Sequence, residues 1–376
     1  MQQSPFEGFR SVKDIKMNIK EIIHNKAFTK ENLVALLNCK GDDRKYLFES
    51  SARVKKETIS DKVYFRGLIE FSNICKKNCL YCGIRSGRSD LNRYNIDDKQ
   101  ILEAVDFAYQ NKYGSVVLQS GERDDISFVD RINQLLKEIK RITHNEIGVT
   151  LSLGEQTKET YQKWFSSGAH RYLLRIESSN RELYSKIHPN NAIHDYDKRL
   201  KALQDLKETG YQTGTGVMVG LPFQTTEILA EDLLFMQSFD IDMVGMGPYI
   251  EHKDTPLYEY RNKLLPKEER FDLTLKMIAI LRLMMPDINM AATTAMQSID
   301  KLGREKAIKV GANIVMPNIT PGQYRDDYFL YDDKPCTDDS AEDCKNCLEA
   351  RIAITDHEIG YGEWGDSRHY SKRRNI

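Results

Sequence analysis

The sequence predicts an α/β fold. It is a (β/α)8 TIM-type barrel with an N-terminal helical cover and a C-terminal cysteine-bearing extension. Three observations lead there. From about residue 63, short runs rich in β-branched residues alternate with longer segments of helical period. Eight such units follow one another, the number that closes a barrel. Most runs end in Gly or Ser, which lets a ligand approach the backbone at the carboxyl-terminal face, where barrel enzymes build their sites. The expected division is a helical extension over 1–60, the barrel over 61–320, and an extension with an auxiliary metal site over 321–376. An open doubly wound sheet is the alternative. It is disfavoured because GTGVMVG lacks the acidic ribose anchor of a dinucleotide fingerprint.

The elements follow in order. MNIKEIIHNKAFTKENLVALLNC reads as two amphipathic helices, with Thr29 as a cap before Glu31 and Asn32. Cys39 falls in the apolar helical pattern of Leu33, Val34, Leu36 and Leu37, and reads as core packing. The candidate strands cover 64–72, 115–121, 147–154, 171–178, 213–220, 243–250, 288–295 and 312–319. DDKQILEAVDFAYQNKY and YDKRLKALQDLKETG are typical of the helical stretches between them. The tail is acidic, aromatic and rich in turns, and its terminal KRRNI reads as solvated surface.

Composition excludes several classes. Lys plus Arg number 55 against 56 Asp plus Glu, a net charge of -1, so no nucleic-acid partner is expected. There is no apolar run of about 18 residues to span a membrane, and MQQSPFEGFRSVKD lacks the apolar core of a signal peptide. Six of the seven cysteines fall into two tight groups whose spacing suits metal better than disulfides. A reducing, cytoplasmic location is expected.

The first group, Cys75, Cys79 and Cys82 in CKKNCLYC, directly follows the first strand. Three thiolates at this spacing reach three irons of a cubane [4Fe–4S] cluster and leave the fourth iron open to a small molecule. Structural zinc is the rival. It wants four ligands, and His144, His170 and His188 are remote in sequence. Tyr81 before the last cysteine and Gly83 after it favour the cluster.

Other polar positions gather at predicted strand ends. Arg175 and Glu177 are two apart in RYLLRIES and would share a strand face. Ser120 and Glu122 close the second strand, and Thr150 and Ser152 share a face of the third. Met218 follows on the fifth strand, Met246 between Gly245 and Gly247 reads as either an adenine or substrate pocket residue or core packing, and Thr293 and Thr294 add small polar groups on the seventh strand. Tyr328 and Tyr331 precede the second cysteine group. His188 and His194 read as surface loop residues, with His252 a better candidate for a role.

CKKNCLYC resembles the signature of the radical S-adenosylmethionine (SAM) enzymes. Together with QSGE, TLSLGE, RYLLRIESSN, GYQTGTGVMVGLPFQT, DMVGMGPYI, ATTAM and GANIVMPNITP, it resembles the HydE family of [FeFe]-hydrogenase maturases over roughly residues 60 to 350. Biotin synthase and methylornithine synthase share the signature and barrel. The resemblance implies that Cys75, Cys79 and Cys82 hold the catalytic cluster, and that the methionine end of SAM docks on its open iron. Reductive cleavage of SAM would then yield a 5'-deoxyadenosyl radical. It implies SAM contacts for Arg175, Glu177 and Arg199, with Ser120, Glu122, Thr150, Ser152, Met218 and Met246 around them. The implied substrate is a cysteine-bound iron carbonyl/cyanide complex attacked at sulfur, with Thr293, Thr294, Tyr328 and Tyr331 beside it. Implied partners are an electron donor such as a ferredoxin or flavodoxin, and other hydrogenase maturases.

Cys336, Cys344 and Cys347 form a second group, C-x7-C-x2-C. It can hold an auxiliary [2Fe–2S] or [4Fe–4S] cluster, and zinc is also credible. The rival functions are a radical SAM mutase or synthase acting on an amino-acid-like substrate, and a non-catalytic iron–sulfur scaffold. Biotin synthase itself needs cysteines on its inner strands, and strands two to eight carry none.

Overall fold

The computed structural model describes residues 18–335 and 340–375. Its strands are β1 (Lys62–Ser72), β2 (Ser115–Ser120), β3 (Gly148–Ser152), β4 (Ala169–Leu173), β5 (Gln212–Thr215), β6 (Met218–Val219), β7 (Met243–Val244), β8 (Gly247–Pro248), β9 (Asn289–Met290), β10 (Ile314–Val315) and β11 (Glu358–Ile359). All eight predicted runs contain one or two of them. The main sheet is parallel throughout, in the order β10-β1-β2-β3-β4-β5-β7-β9. β11 adds to the start of β1, and β6 and β8 form a separate pair.

The expected closed eight-stranded barrel is not formed. The sheet is an open curl through 271° of arc. Its edge strands, β9 and β10, share no ladder and meet at the isolated bridge between Ala291 and Ile314, with backbone bonds from Asn313 N–H to Met290 O and from Ala292 N–H to Ile314 O, both 2.9 Å. The reason lies in the short later strands. β7, β9 and β10 have two residues each, too few to close a ladder. A side chain adds to these bonds. Asn313 Oδ1 accepts from Met290 N–H at 2.8 Å, and its Nδ2 donates to Asn289 Oδ1 at 2.8 Å.

The helices on the outer face start where the sequence supplies a cap. Asp97, Asp125, Thr157, Asp195 and Thr225 each accept a backbone N–H three residues on, each contributing about 1 kcal/mol. The helix Ile126–Ile142 buries Phe128, Ile132, Leu135, Leu136 and Ile139, a stripe at helical spacing. Thr29 does cap its helix, through Asn32 N–H, and Cys39 is buried just after it. The long helix Gly41–Ile59 is anchored by Ser51 Oγ on Val310 O and Lys55 Nζ on Ile308 O.

The tail forms the floor of the curl. Arg171, fully buried on β4, donates to Asp366 Oδ1 at 2.6 Å and Trp364 O at 2.6 Å. Arg66 and Asn289 both donate to Gly365 O. The terminal basic run is therefore not simply solvated. Arg373 pairs with the buried Asp242 at 2.5 Å, and Lys372 with Asp287 at 2.8 Å. These carboxylates lie at the amino-terminal ends of β7 and β9, so the tail neutralises charge the sheet would otherwise bury.

His369, on the last helix Arg368–Arg374, joins Asp287 (3.0 Å) and Asp240 (2.6 Å). The hydrogen bond to Asp287 is the largest of the effects that raise its pKa. Its stabilising contribution is therefore complete below about pH 6.5, the unfolded value, and is lost as pH rises through the higher folded value. His369→Gln should cost roughly 1–2 kcal/mol at pH 5.5 and progressively less in alkaline buffer. Denaturant melts across pH check this, and a pH-independent difference would contradict it.

Candidate active site

A cavity of about 340 Å³ opens at the carboxyl-terminal ends of the strands. Cys75, Cys79 and Cys82 lie together on its wall, on the loop that follows β1. That loop has little regular structure and is held by side chains. Arg93 donates to four carbonyls, those of Asn73, Ile84, Arg85 and Arg88. His194 Nε2 accepts from Asn78 N–H at 2.9 Å while its Nδ1 faces Asn191 Oδ1. His188 stacks on Tyr184 and faces the Tyr81 hydroxyl. Both histidines, expected at the surface, are buried behind the loop, and burial lowers their pKa values to about 3 and about 4 respectively. They brace it as neutral rings.

Two glycines let the loop sit where it does. A Cβ on Gly121 would lie 2.4 Å from Ile74 O and 2.7 Å from the Cys75 Cβ. One on Gly83 would lie 2.0 Å from Phe329 O and 2.5 Å from the His252 ring. Glu122 N–H donates to Cys75 Sγ at 3.3 Å. Burial raises the pKa of all three thiols, that of Cys79 up to about 12. They are poised to lose protons to a bound metal rather than to water. Among the described residues, no three His, Cys, Asp or Glu side chains converge as ligands of one ion. A cubane asks for something different, since each thiolate binds its own iron.

A buried charge network ties the loop to the sheet. Lys77, 3% exposed, meets Glu155 at 2.9 Å and Glu122 at 3.4 Å. Arg199 pairs with Glu155 and donates to Arg175 O at 2.6 Å. Burial raises Glu122 above the usual carboxylate range. In Glu155 the same burial is outweighed by Arg199 and Lys77, which hold it below that range.

Arg175 and Glu177 do pair, at 3.0 Å, and both line the cavity. They are not on a strand, however: β4 ends at Leu173, and Glu177 has φ +65°. Its backbone bridges to Val217 instead. The wall keeps polar atoms whose hydrogen bonds are not all made. Glu122 Oε1 and Glu177 Oε2 are buried and ion-paired, with Lys77 at 3.4 Å and Arg175 at 3.0 Å, but make no hydrogen bond, and Arg175 Nε is buried without one. The ammonium, ribose hydroxyls and carboxylate of SAM match two acceptors and one donor with hydrogen bonds to spare, so these residues fit that cofactor.

Of the other predicted contacts, Ser120, Ser152, Met218, Thr293, Thr294, Tyr328 and Tyr331 are brought to the cavity. Thr150 and Met246 are not. Thr150 lies lower in the curl, in a separate void of about 30 Å³, and accepts from Arg171. Met246 is packed in the core and presents its carbonyl to Thr293 Oγ1 at 3.2 Å. In the second cysteine group, Cys344 reaches the cavity, Cys347 is exposed, and Cys336 is outside the described residues.

Sequence reasoning missed Lys77, Glu70, Lys334 and Arg304. Glu70, 2% exposed, takes both contacts of Lys334 Nζ at 2.8 and 2.7 Å. Lys334 also donates to Tyr328 O. The available signal was a charge inside the apolar run LIEFS of β1.

Residues 69–236 match the model of the Radical SAM superfamily. The [FeFe] hydrogenase maturase subunit HydE of Thermotoga maritima is 43% identical over 350 residues, covering 92% of this chain and 96% of that protein. The chain belongs to the HydE family of radical SAM enzymes. 3-Methylornithine synthase of Methanosarcina barkeri is 26% identical over 335 residues, covering 88% of this chain and 89% of that protein. A crystal structure of methylornithine synthase superposes with a TM-score of 0.76 at 24% identity, covering 95% of this chain and 99% of that one, and shows the shared fold. Membership of the HydE family implies use of a [4Fe–4S] cluster and SAM. No helix among the described residues is long and apolar enough to cross a membrane.

Gly121→Ala should displace the cysteine loop, at a cost of about 1–3 kcal/mol from overpacking. Iron and sulfide assays after anaerobic reconstitution should show a depleted cluster together with a lower melting temperature. A fully loaded, equally stable variant would show that the close contact with Ile74 does not govern the loop.

Proposed function

We propose that this chain is a maturase of [FeFe]-hydrogenase, which uses SAM to act on the sulfur of a cysteine-bound iron carbonyl/cyanide complex. The observation that carries the proposal is the joining, on one cavity wall, of three cysteines with a buried Arg175–Glu177 pair and Glu122, whose hydrogen-bonding capacity is not fully used. In this reading Cys75, Cys79 and Cys82 hold a [4Fe–4S] cluster. When bound, the cluster and SAM together supply a 5'-deoxyadenosyl radical by reductive cleavage of the sulfonium C–S bond.

The chain's own residues bind and orient. Glu177 and Glu122 receive hydroxyl and ammonium groups of SAM, and Arg175 receives its carboxylate. Arg199 lines the same wall and is already neutralised by Glu155, so it positions Arg175 through the carbonyl it holds. Ser120, Ser152 and Met218 fill the sides. Thr293, Thr294, Tyr328 and Tyr331 flank the inner half, where the second ligand sits. The wall is largely apolar beyond these groups, which keeps water from a reactive radical.

The proposed partners are a low-potential electron donor such as a ferredoxin or flavodoxin, and the other hydrogenase maturases. The second cysteine group, Cys336 with Cys344 and Cys347, is proposed as an auxiliary site that turnover does not need. The proposed location is cytoplasmic.

Anaerobic reconstitution, reduction and chromatography for 5'-deoxyadenosine test this reading. Cys75→Ser, Cys79→Ser and Cys82→Ser should each abolish the product, while Cys344→Ser should retain most of it. Product from any of the first three would overturn the cluster assignment. Complete loss in the last would make the second group catalytic.

A further inference from the structure

Among the described residues that line the cavity, Glu177 alone combines a side chain with a left-handed backbone, at φ +65°. A Cβ disfavours that conformation, so it persists only where surrounding contacts impose it. Two sets of contacts do so here. The first is at Glu177 itself, whose N–H donates to Gly216 O at 3.0 Å and whose carbonyl accepts from Met218 N–H at 3.2 Å. The second lies two residues on, where every polar group of Ser179 is taken. Its N–H and Oγ donate to Asp232 Oδ1 at 2.7 and 2.6 Å, and its carbonyl accepts from the Tyr196 hydroxyl at 2.6 Å.

Asp232 sits on the helix Thr226–Phe239, fully buried, and does not line the cavity. Burial pushes its pKa up to about 7, and its Oδ2 makes no hydrogen bond. Its Oδ1 accepts from Ser179 whether or not Oδ2 carries a proton, so the contact works by geometry rather than by charge. The adjacent Glu231 accepts from Asn180 Nδ2 at 3.0 Å, so one turn of this helix grips two successive residues that follow Glu177. If the chain after Glu177 were released, its φ could relax to a negative value. The Cα–Cβ bond would then point elsewhere and carry the carboxylate with it.

We infer that Asp232 is a positioning residue for SAM: by holding Ser179 from outside the cavity, it keeps the Glu177 carboxylate aimed into it. This rests on reading Glu177 as a contact of SAM.

The test is anaerobic calorimetric titration of SAM into the full, reconstituted chain. Asp232→Ala should weaken binding about tenfold, the worth of one well-aimed hydrogen bond to a charged group. Asp232→Asn keeps the Oδ1 acceptor and should stay within about twofold of wild type. Glu177→Ala should weaken binding at least as much as Asp232→Ala, and combining the two should weaken it no further, because one acts through the other. A purely structural role for Asp232 would instead add its loss to that of Glu177→Ala. Ser179→Ala removes one of the two bonds without opening the core. It should weaken binding roughly threefold and serves if Asp232→Ala does not fold. Wild-type affinity in Asp232→Ala or Ser179→Ala, additive losses in the double variant, or an asparagine variant as weak as alanine would overturn the inference while Glu177 keeps its role. Wild-type affinity in Glu177→Ala would sink the reading beneath it, and the inference with it.

Discussion

The site depends on a charge network buried where the cysteine loop meets the sheet. Lys77 stands between Cys75 and Cys79, and it reaches Glu122 after β2 and Glu155 after β3. Arg199 closes the chain by pairing with Glu155 and holding the carbonyl of Arg175. Three strand-end loops and one helix are thereby fixed to a loop that has almost no ladder of its own. Removing any one member would strand a charge in a dry wall, which costs more than the net worth of the pair. The network therefore sets geometry more than it adds stability.

That geometry divides the cavity. The cysteine end holds carboxylates that are ion-paired but not fully hydrogen-bonded, while the inner end is bounded by Glu70, Lys334 and the tyrosines of the tail. Lys334 ties the tail to the sheet by binding Glu70 on β1 and the carbonyl of Tyr328. The segment that precedes the second cysteine group is thus part of the cavity wall, held from the first strand. The floor is built the same way, from tail residues seated on Arg66 and Arg171. An open curl with two-residue edge strands keeps its shape because side chains from the tail tie it at both faces.

Much of this was legible in the residues. Period-two and period-3.6 patterns located every strand except β11, and typical helices between them, because burial of one face dictates them. The cysteine triplet and the Arg175–Glu177 pair were legible because ligand chemistry constrains residue type. The failures share a cause, since each depends on partners distant in sequence. Closure could not be read, because eight apolar runs look alike whether a strand makes two ladder bonds or six. His188 and His194 looked like loop residues, and only the fold places them behind Asn78 and Tyr81. Thr150 and Ser152 share a face, yet one pleat of height separates a core void from the cavity. KRRNI looked free because Asp240, Asp242 and Asp287 come from elsewhere.

Glu177 carries a consequence for anyone who engineers this scaffold. Its backbone sits at φ +65°, a conformation that disfavours side chains with a Cβ by about 1–2 kcal/mol. Directed evolution scored on heat tolerance alone will favour glycine or asparagine there. The hardened protein would be easier to handle and would have traded away an acid at the mouth of its pocket. Thermal screens of such scaffolds need this codon frozen.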